Sequence, residues 1–415
     1  MERYSSYKDS GVQWIGKVPS HWRIPSIGKI FEIKAGGDAK PQYYSFEQDE
    51  EHPYPVYTNT KDSNSVYAYT SKPLYDSGTI TVTGRGEIGR AIFRPVPYDA
   101  IIRLLSLRPK VKLVPKFYAF FIDTVIPFTS DSAAIGQLSA VQLKPKYVTF
   151  PPLAEQEKIV SYLEDKTSKI DAYVADKEKE IELLQELKQK TIADAVTKDL
   201  NPDAKMKDSG ISWIGEIPEH WETRRAKFMF IKNKRERRPE DEVITCFRDG
   251  QVTLRKNRRL TGFTESEKYD GYQGIRKGDL VIHQMDAFAG SIGVSDSDGM
   301  GTSVYHCCTP TGDYNVYYYA YLIRQMALSG FIQSLYKGIR ERSSDFSFPV
   351  FGNQFLLIPP INEQQALVAY IEEKCEKIDK LASELQSEID YLKEYKQRLI
   401  ADCVTGQVNV QNEMI

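Results

Sequence analysis

The sequence predicts an α+β fold in which two mixed α/β segments alternate with two long antiparallel helices, related by an internal pseudo-two-fold repeat. Three observations support this prediction. A tryptophan-containing motif occurs twice, a helical pattern with a Pro-Pro start occurs twice, and each intervening segment is rich in tyrosine, glycine and β-branched residues. Because one core rarely serves a chain of 415 residues, about two to four domains are expected.

The first repeated motif contains all four tryptophans. The segments YKDSGVQWIGKVPSHW at 7–22 and MKDSGISWIGEIPEHW at 206–221 share ten of 16 positions at a constant offset of 199 residues. Chance does not produce such agreement, so the chain consists of two related halves. Two similar halves in one chain predict an internal pseudo-two-fold axis.

The second repeat predicts two long helices. Residues 151–197 and 359–405 match at 22 of 47 positions with an offset of 208, and each begins with Pro-Pro, which suits a helix start. Apolar residues follow at steps of three, four and seven, from Ile159 to Ile192 and from Leu367 to Leu399, which predicts one apolar face per helix. Each face needs a partner, and we expect the two helices to pack antiparallel. The alternative is that each helix packs only on its own domain.

The segments between the repeats have a different pattern. GTITVTGRGEIGRAIF at 78–93 and DLVIHQMDAFAGSIGV at 279–294 predict short strands broken by turns, and short helices are expected near 116–124 and 317–329. The predicted domains are 1–150 and 201–358, each with one tryptophan motif. The predicted long helices occupy 151–200 and 359–415.

Composition restricts the class of protein. The chain is 41% hydrophobic and 27% charged, which is typical of a globular protein. It has neither an apolar run of about 18–20 residues nor an apolar signal core, so we expect a soluble, cytosolic protein. The five cysteines and five histidines lack metal-ligand spacing, which predicts reduced structural thiols and no metal site.

The sequence shows no recognisable catalytic centre. Gly84 to Gly89 match GxGxxG by letters, but the following Ala91-Ile92-Phe93 continues as a strand and Pro95 excludes a helix, so a hairpin loop is predicted. No phosphate-binding loop, amino-methyltransferase motif, nuclease centre or Ser/His/Asp grouping can be identified. We therefore expect no chemistry and no bound cofactor in this chain.

Charge is distributed unevenly between the segments. The formal net charge is −2, but 24–150 carries 15 basic and 12 acidic residues and 223–358 carries 20 and 15, whereas 151–200 and 359–415 are net acidic. Basic side chains interleaved with tyrosine and asparagine are suited to phosphates and base edges. One charge cluster is usually only a solvated surface, but two basic segments on acidic helices favour nucleic-acid binding.

These motifs resemble a known family. WIGxxPxHW at 14–22 and 213–221, with PPLAEQ at 151–156 and PPINEQ at 359–364, is similar to the specificity subunit of Type I restriction-modification systems. The resemblance covers the whole chain and implies two target-recognition domains, each followed by a long helix. It further implies recognition of a bipartite, asymmetric double-stranded DNA target, with the helices setting the spacer between its halves.

The resemblance also implies partners for a non-catalytic chain of the prokaryotic cytoplasm. Two modification subunits would bind S-adenosylmethionine and methylate adenine, and restriction subunits would use ATP and Mg²⁺. The tryptophan motifs would be core aromatics, or would also anchor each domain against the base of a helix. The residues expected to dock the modification subunits are Glu155, Gln156, Glu164, Glu182, Glu186, Glu363, Gln364 and Glu372.

Polar and basic loop residues are the predicted DNA contacts. In the first domain they are Lys40, Tyr43, Tyr44, Asn59, Lys61, Asn64, Arg85 and Arg90. In the second domain they are Arg248, Arg255, Lys256, Arg258, His283, Gln284, Arg340 and Arg342. Two other classes of function stay open: an enzyme with an unfamiliar active site, and a coiled-coil adaptor or DNA-binding scaffold that does not read sequence.

Overall fold

The structure is a computed structural model that describes residues 2–59, 65–128, 137–258, 261, 269–335 and 345–413. It divides into two compact units. Unit 1 comprises Met1–Glu178 and Gln386–Ile415, and unit 2 comprises Lys179–Leu385. Each unit combines strands with helices, so the predicted α+β class is confirmed. The two long helices are each shared between the units.

The globular part of unit 1 contains ten strands and three short helices among its described residues. They are β1 (Tyr7–Asp9), β2 (Lys17–Pro19), α1 (Ile27–Ile30), β3 (Phe31–Ala35), β4 (Tyr44–Ser45), β5 (Tyr54–Tyr57), β6 (Ala68–Thr70), β7 (Thr79–Val82), β8 (Ala91–Arg94), β9 (Asp99–Ala100), β10 (Leu105–Pro109), α2 (Pro115–Thr124) and α3 (Ala140–Leu143). The first long helix, α4 (Leu153–Thr197), follows.

The described globular part of unit 2 has a related composition. Its elements are β11 (Met206–Asp208), β12 (Glu216–Pro218), β13 (Glu222–Arg225), β14 (Phe230–Asn233), β15 (Ile244–Cys246), β16 (Val252–Leu254), β17 (Gln273–Ile275), β18 (Leu280–His283), β19 (Ile292–Val294), β20 (Gly299–Gly301), β21 (Tyr305–Pro310), α5 (Val316–Leu328), α6 (Phe331–Ser334), α7 (Phe348–Gly352) and β22 (Phe355–Ile358). The second long helix is α8 (Ile361–Thr405).

Equivalent four-stranded antiparallel sheets form the centre of each unit. Their strand orders are β3-β10-β7-β8 in unit 1 and β14-β21-β18-β19 in unit 2. Helix α2 packs on β7 and β8, and α5 packs on β18 and β19, because each helix presents an apolar face that the sheet covers. The sequence repeat is thus also a structural repeat. Unit 1 adds a mixed sheet, β4-β6-β5-β9.

The strands and short helices predicted between the repeats are confirmed. The GxGxxG letters lie in the loop between β7 and β8, which pair antiparallel from Thr79 with Arg94 to Val82 with Ala91. Helices α2 and α5 match the two predicted short helices. All five cysteines are free, four are buried, and burial raises the pKa of each thiol.

Antiparallel helix pairing is seen within unit 1. Lys396 Nζ lies 2.6 Å from Asp171, and Lys393 Nζ lies 2.9 Å from Glu178, so residue numbers fall along α8 as they rise along α4. Within unit 2, Lys188 Nζ lies 2.6 Å from Asp379. Most residues of the predicted apolar faces are buried or half-buried, but Leu381 is exposed, which corrects the prediction for that position. Among the described residues, no helix has the length and apolarity to cross a membrane.

Candidate nucleic-acid interface and its anchors

The end of the first tryptophan motif is bound to the first turn of α4. Trp22 is fully buried, and its Nε1–H donates to Glu155 Oε2 at 3.0 Å. The ring Nε2 of the neighbouring His21 lies 2.7 Å from the other oxygen, Oε1. One carboxylate near the positive end of the helix dipole therefore holds the motif through two side chains.

The second copy has the same anchor. Trp221 is fully buried and donates to Glu363 Oε2 at 2.8 Å, while His220 Nε2 lies 3.0 Å from both carboxylate oxygens. Asp199 adds a further carboxylate within 4.8 Å of the His220 and Glu363 ligand atoms. The sequence prediction that the motif anchors each domain to a helix base agrees with these contacts, and core burial accompanies it.

The glutamine after each anchoring glutamate is also internal. Gln156 accepts from the Val114 N–H at 2.9 Å and donates to the Pro151 carbonyl at 2.8 Å. Gln364 makes the equivalent bonds to Asn315 N at 2.8 Å and Pro359 O at 2.7 Å. Both glutamines are buried and bonded to backbone of their own unit, and their role in docking stays a prediction.

The other predicted docking residues are more accessible. Glu155 and Glu363 are half-buried in the anchors, and Glu164 pairs with Lys116. Glu164, Glu182, Glu186 and Glu372 are exposed on the long helices. Their role in docking stays a prediction.

Asn59 joins two loops of unit 1. Its Oδ1 accepts from Gly84 N at 2.7 Å and from Arg85 N at 3.3 Å, and its Nδ2 donates to the Ile102 carbonyl at 2.7 Å. All the polar atoms of the amide thus have partners within the chain. Asn59, which the sequence suggested as a DNA contact, holds the β7–β8 loop beside the turn before β10.

The predicted basic contacts of unit 1 differ in their charge partners. Arg85 is exposed, and among the described residues its guanidinium hydrogen-bonds a neutral amide, Gln137 Oε1, at 3.0 and 3.3 Å. Arg90 instead pairs with Asp123 at 2.9 Å. Burial raises the pKa of Asp123, an effect that the Ala91 N–H and Arg90 oppose. Arg85 is therefore the better candidate for binding an anion.

The remaining described candidates of unit 1 lie near one another in sequence. The Lys72 ammonium lies over the Tyr43 ring, with Nζ 4.1 Å from the ring centroid. Lys40 is half-buried. Tyr44 donates to Asp99 Oδ2 at 2.8 Å, and burial, with the bond to Asp99, raises its pKa to about 12. Lys61 and Asn64 lie outside the described residues.

The basic candidates of unit 2 mostly have carboxylate partners. The ion pairs are Arg248–Asp286 at 3.1 Å, Lys256–Glu242 at 2.6 Å and Arg258–Asp249 at 2.6 Å. Arg255 Nε donates to Thr245 Oγ1 at 3.5 Å. Exposed pairs of this kind contribute about 0–1 kcal/mol, so a phosphate can replace the carboxylate at little cost.

His283 and Gln284 are held by their own loop and its neighbours. Burial lowers the pKa of His283, and its Nδ1 accepts from the Asp286 N–H at 3.0 Å. Gln284 donates to the Asp345 carboxylate. Arg340 and Arg342 lie outside the described residues. The contacts of His283 and Gln284 within the chain do not show whether these residues contact DNA, so their assignment stays a prediction.

Sequence reasoning missed two arginines. Arg324 on α5 donates to the carbonyls of Gly290 at 3.1 Å and Arg248 at 3.0 Å, so it joins the two loops that carry the unit 2 candidates. Arg103 lies in the turn beside Asn59 and is exposed. Neither belongs to a basic run, which is why the charge pattern did not single them out.

Comparison with known sequences shows which proteins the chain is similar to. A model of the Type I restriction modification DNA specificity domain matches residues 19–183. Two Mycoplasma pneumoniae proteins named as type I specificity subunits, S.MpnORF89P and S.MpnORF507P, are 28% and 27% identical over 138 and 164 residues. The matches cover 33% and 39% of this chain, and the chain spans 41% and 43% of the length of these relatives.

Solved structures share the fold. A chain from work on complex assembly and conformational transition of the type I R-M system matches with a TM-score of 0.67 at 14% identity, covering 94% of this chain and 100% of that chain. The HsdS subunit from Thermoanaerobacter tengcongensis matches with a TM-score of 0.50 at 14% identity, covering 94% and 98%. Residues 19–183 thus match the Type I restriction modification DNA specificity domain, and the chain is similar in sequence to type I specificity subunits.

Proposed function

We propose that this chain is the DNA sequence-recognition subunit of a Type I restriction-modification complex and reads a bipartite, asymmetric target. The observation that carries the proposal is the duplicated anchor. Two copies of one Trp–His–Glu arrangement hold two globular domains whose loops differ in sequence and in hydrogen bonding. Identical attachment with unlike loops is what the reading of two different half-sites requires.

The charge of the loops supports DNA as the ligand. Each globular segment carries a basic excess. Among the candidate contacts, the Arg85 guanidinium has no carboxylate partner in the described residues, and Arg248 and Arg258 are in exposed pairs. Phosphates can displace such carboxylates, and arginine can also pair with guanine in the major groove. We infer that unit 1 reads one half-site and unit 2 reads the other.

The long helices are proposed to set the spacer between the half-sites. Each has 45 residues, which corresponds to about 68 Å at about 1.5 Å per residue. A rigid element of fixed length gives one allowed number of intervening base pairs, as half-site spacing does in other two-part readers.

Exposed apolar residues on the helices are proposed docking points for two modification subunits. Leu183 and Leu187 are 55% and 50% exposed, and Tyr391 and Tyr395 are 77% and 46% exposed. The offset of 208 residues makes these pairs equivalent in the two helical repeats. Two equivalent apolar pairs fit two copies of one partner, and exposed apolar side chains are typical of interaction surfaces. The exposed Glu182 and Glu186 flank the first pair.

The chemistry is proposed to belong to the partners. The modification subunits would supply S-adenosylmethionine-dependent adenine methylation, and restriction subunits would supply Mg²⁺- and ATP-dependent cleavage. In this assignment the chain contributes only recognition, spacing and docking.

The main test maps the target. Methylated adenines are located genome-wide in cells with and without this chain, and the assembled complex is offered a library of random duplexes. We expect one bipartite, asymmetric motif in both experiments. Arg85→Ala should relax only one half of that motif, and Arg248→Ala with Arg258→Ala only the other half. Binding without sequence preference would support the scaffold alternative, and methylation by the purified chain alone would support an enzyme.

A second test addresses docking. Leu183→Ser with Leu187→Ser should reduce the bound modification subunits from two to one in native mass spectrometry, and so should Tyr391→Ser with Tyr395→Ser. Combining all four changes should remove both subunits. The control is Val141→Ser, an exposed apolar residue outside the long helices, which should leave two subunits bound. An unchanged stoichiometry in the fourfold variant would refute these docking points.

A further inference from the structure

The turn between β9 and β10 has an unusual backbone for its sequence. Ile102 and Arg103 have φ values of 54° and 61°, and among the described residues they are the only non-glycine residues with positive φ. Two consecutive left-handed residues are typical of a type I′ turn, which favours Asn-Gly. A β-branched side chain is strongly disfavoured in this region, so Ile102 is strained.

The surrounding backbone fixes this turn. Leu104 N donates to Ile101 O at 3.2 Å across the turn, while Ile102 N and Arg103 N donate to Gly37 O and Gly36 O at 3.0 and 3.1 Å. A side chain at position 36 would meet the Ala100 carbonyl oxygen at 2.4 Å, so the glycine allows this close approach. The strain is thus maintained by the fold.

The same turn adjoins the best unit 1 candidate for DNA binding. Asn59 bonds both the Ile102 carbonyl and the Gly84 and Arg85 amides, and a Cβ at Gly84 would lie 3.2 Å from the Arg103 carbonyl oxygen. The two loops therefore meet backbone to backbone. Arg85 and Arg103 extend from adjoining positions of this junction.

Both side chains of the turn are available to a ligand. Ile102 is 47% exposed, and Arg103 is exposed with no ion pair or hydrogen bond from its guanidinium in the described part of the chain. By contrast, Arg90 pairs with Asp123, and Arg94 is buried with its guanidinium 3.5 Å from the Tyr57 ring centroid. The turn is strained, and its exposed side chains are one arginine without a partner in the described residues and one apolar residue. Neither side chain makes a described contact that would compensate the strain.

We propose that the Ile102–Arg103 turn is the base-reading element of unit 1, with Arg103 contacting a base edge and Ile102 making an apolar contact beside it. Arg103 supplies the planar fork that recognises guanine bidentately, and Ile102 supplies a surface for a thymine methyl group. Asn59 is a positioning residue that holds the turn against the Arg85 loop. This inference rests on the proposed function.

The test uses the complete complex and a random duplex library. Wild type should select a two-part motif. Arg103→Ala should lower the preference for one base at one position of one half-site by about 10- to 100-fold, which is what a bidentate base contact contributes. The preference for the other half-site should not change. Arg103→Lys should also lose that preference, because lysine lacks the fork. The control Arg108→Ala, which changes an exposed arginine of β10 that is paired with Asp76, should select the wild-type motif.

A second variant separates recognition from folding. Ile102→Asn with Arg103→Gly restores the preferred turn residues and should raise the Tm of the variant by about 2–4 °C while abolishing the preference. Unchanged selection by Arg103→Ala, full preference in Arg103→Lys, or an equal loss in Arg108→Ala would each overturn the inference and leave the proposed function intact. A wild-type complex without any sequence preference would overturn the proposed function, and this inference with it.

Discussion

The anchor glutamates allow a matched stability test in the two units. In unit 1, Glu155 accepts from Trp22 Nε1 at 3.0 Å and lies 2.7 Å from His21 Nε2. Glutamine in its place keeps the shape but removes the charge from both bonds. A hydrogen bond to a charged group contributes about 1.5–3 kcal/mol, roughly twice a neutral one, so Glu155→Gln should cost about 1–3 kcal/mol.

Glu363→Gln should have a similar effect in unit 2, because Glu363 makes the same two kinds of contact, with Trp221 Nε1 at 2.8 Å and His220 Nε2 at 3.0 Å. For a unit of about 200 residues, each kcal/mol lowers Tm by about 2–4 °C, so the affected unit should unfold about 2–12 °C earlier in calorimetry. The control is Glu157→Gln, an exposed glutamate in the same part of α4. If Glu155→Gln and Glu157→Gln unfolded at the same temperature, the carboxylate would not be an anchor.

Three further predictions follow from internal contacts and helix length. Gln364→Ala leaves a buried N–H and carbonyl unpaired and should cost about 2–4 kcal/mol in urea unfolding. Burial lowers the pKa of His306 to about 4. As pH falls from about 6.5 to 4, the unfolded chain binds a proton at this histidine before the folded chain does, so the free energy of unfolding should decrease by about 1–3 kcal/mol. His306→Gln should not show this decrease. Four residues inserted after both Gln185 and Ala382 should lengthen the methylated motif by about two base pairs, since they add about 6 Å.

Each of these three predictions has a contradicting result. Equal urea midpoints for Gln364→Ala and wild type would mean that the two bonds contribute nothing. Identical pH profiles for wild type and His306→Gln would assign the acid sensitivity to other groups. An unchanged spacer in the double insertion would exclude the helices as its determinant.

The scaffold could be predicted from the sequence because its signals are periodic or repeated. Apolar steps of three and four predicted α4 and α8, and alternating β-branched runs predicted the hairpin of β7 and β8. The exposure of Leu381 could not be predicted. A helical pattern identifies the apolar face of a helix, but it does not show which part of that face another element covers. The backbone partners of Gln156 and Gln364 could not be predicted for a similar reason, since a polar side chain in a sequence does not show which distant backbone groups it bonds.

The candidate site was less predictable because its residues are joined by contacts distant in sequence. Asn59 was chosen for its chemistry, but its partners Gly84 and Ile102 make it a support for two loops. Arg103 carries no local pattern, and only the positive φ of the turn reveals it. Residue type therefore predicted the class of ligand. The hydrogen bonds and backbone conformation of the loops indicated which of these side chains are available to contact a ligand.

Under the proposed function, the two kinds of position would allow one chain to change its target without changing its assembly. The anchors depend on a few part-buried bonds, from Trp22 to Glu155 and from Trp221 to Glu363, that involve no residue of the candidate loops. The loops are closed by bonds such as those of Asn59 and Arg324, which hold backbone atoms and place no demand on the exposed side chains beside them. Substitution at a position such as Arg103 should therefore alter recognition at almost no cost in folding, whereas substitution at an anchor should alter folding first. A library varied at exposed loop positions with negative φ should keep the wild-type Tm while its selected motifs diverge.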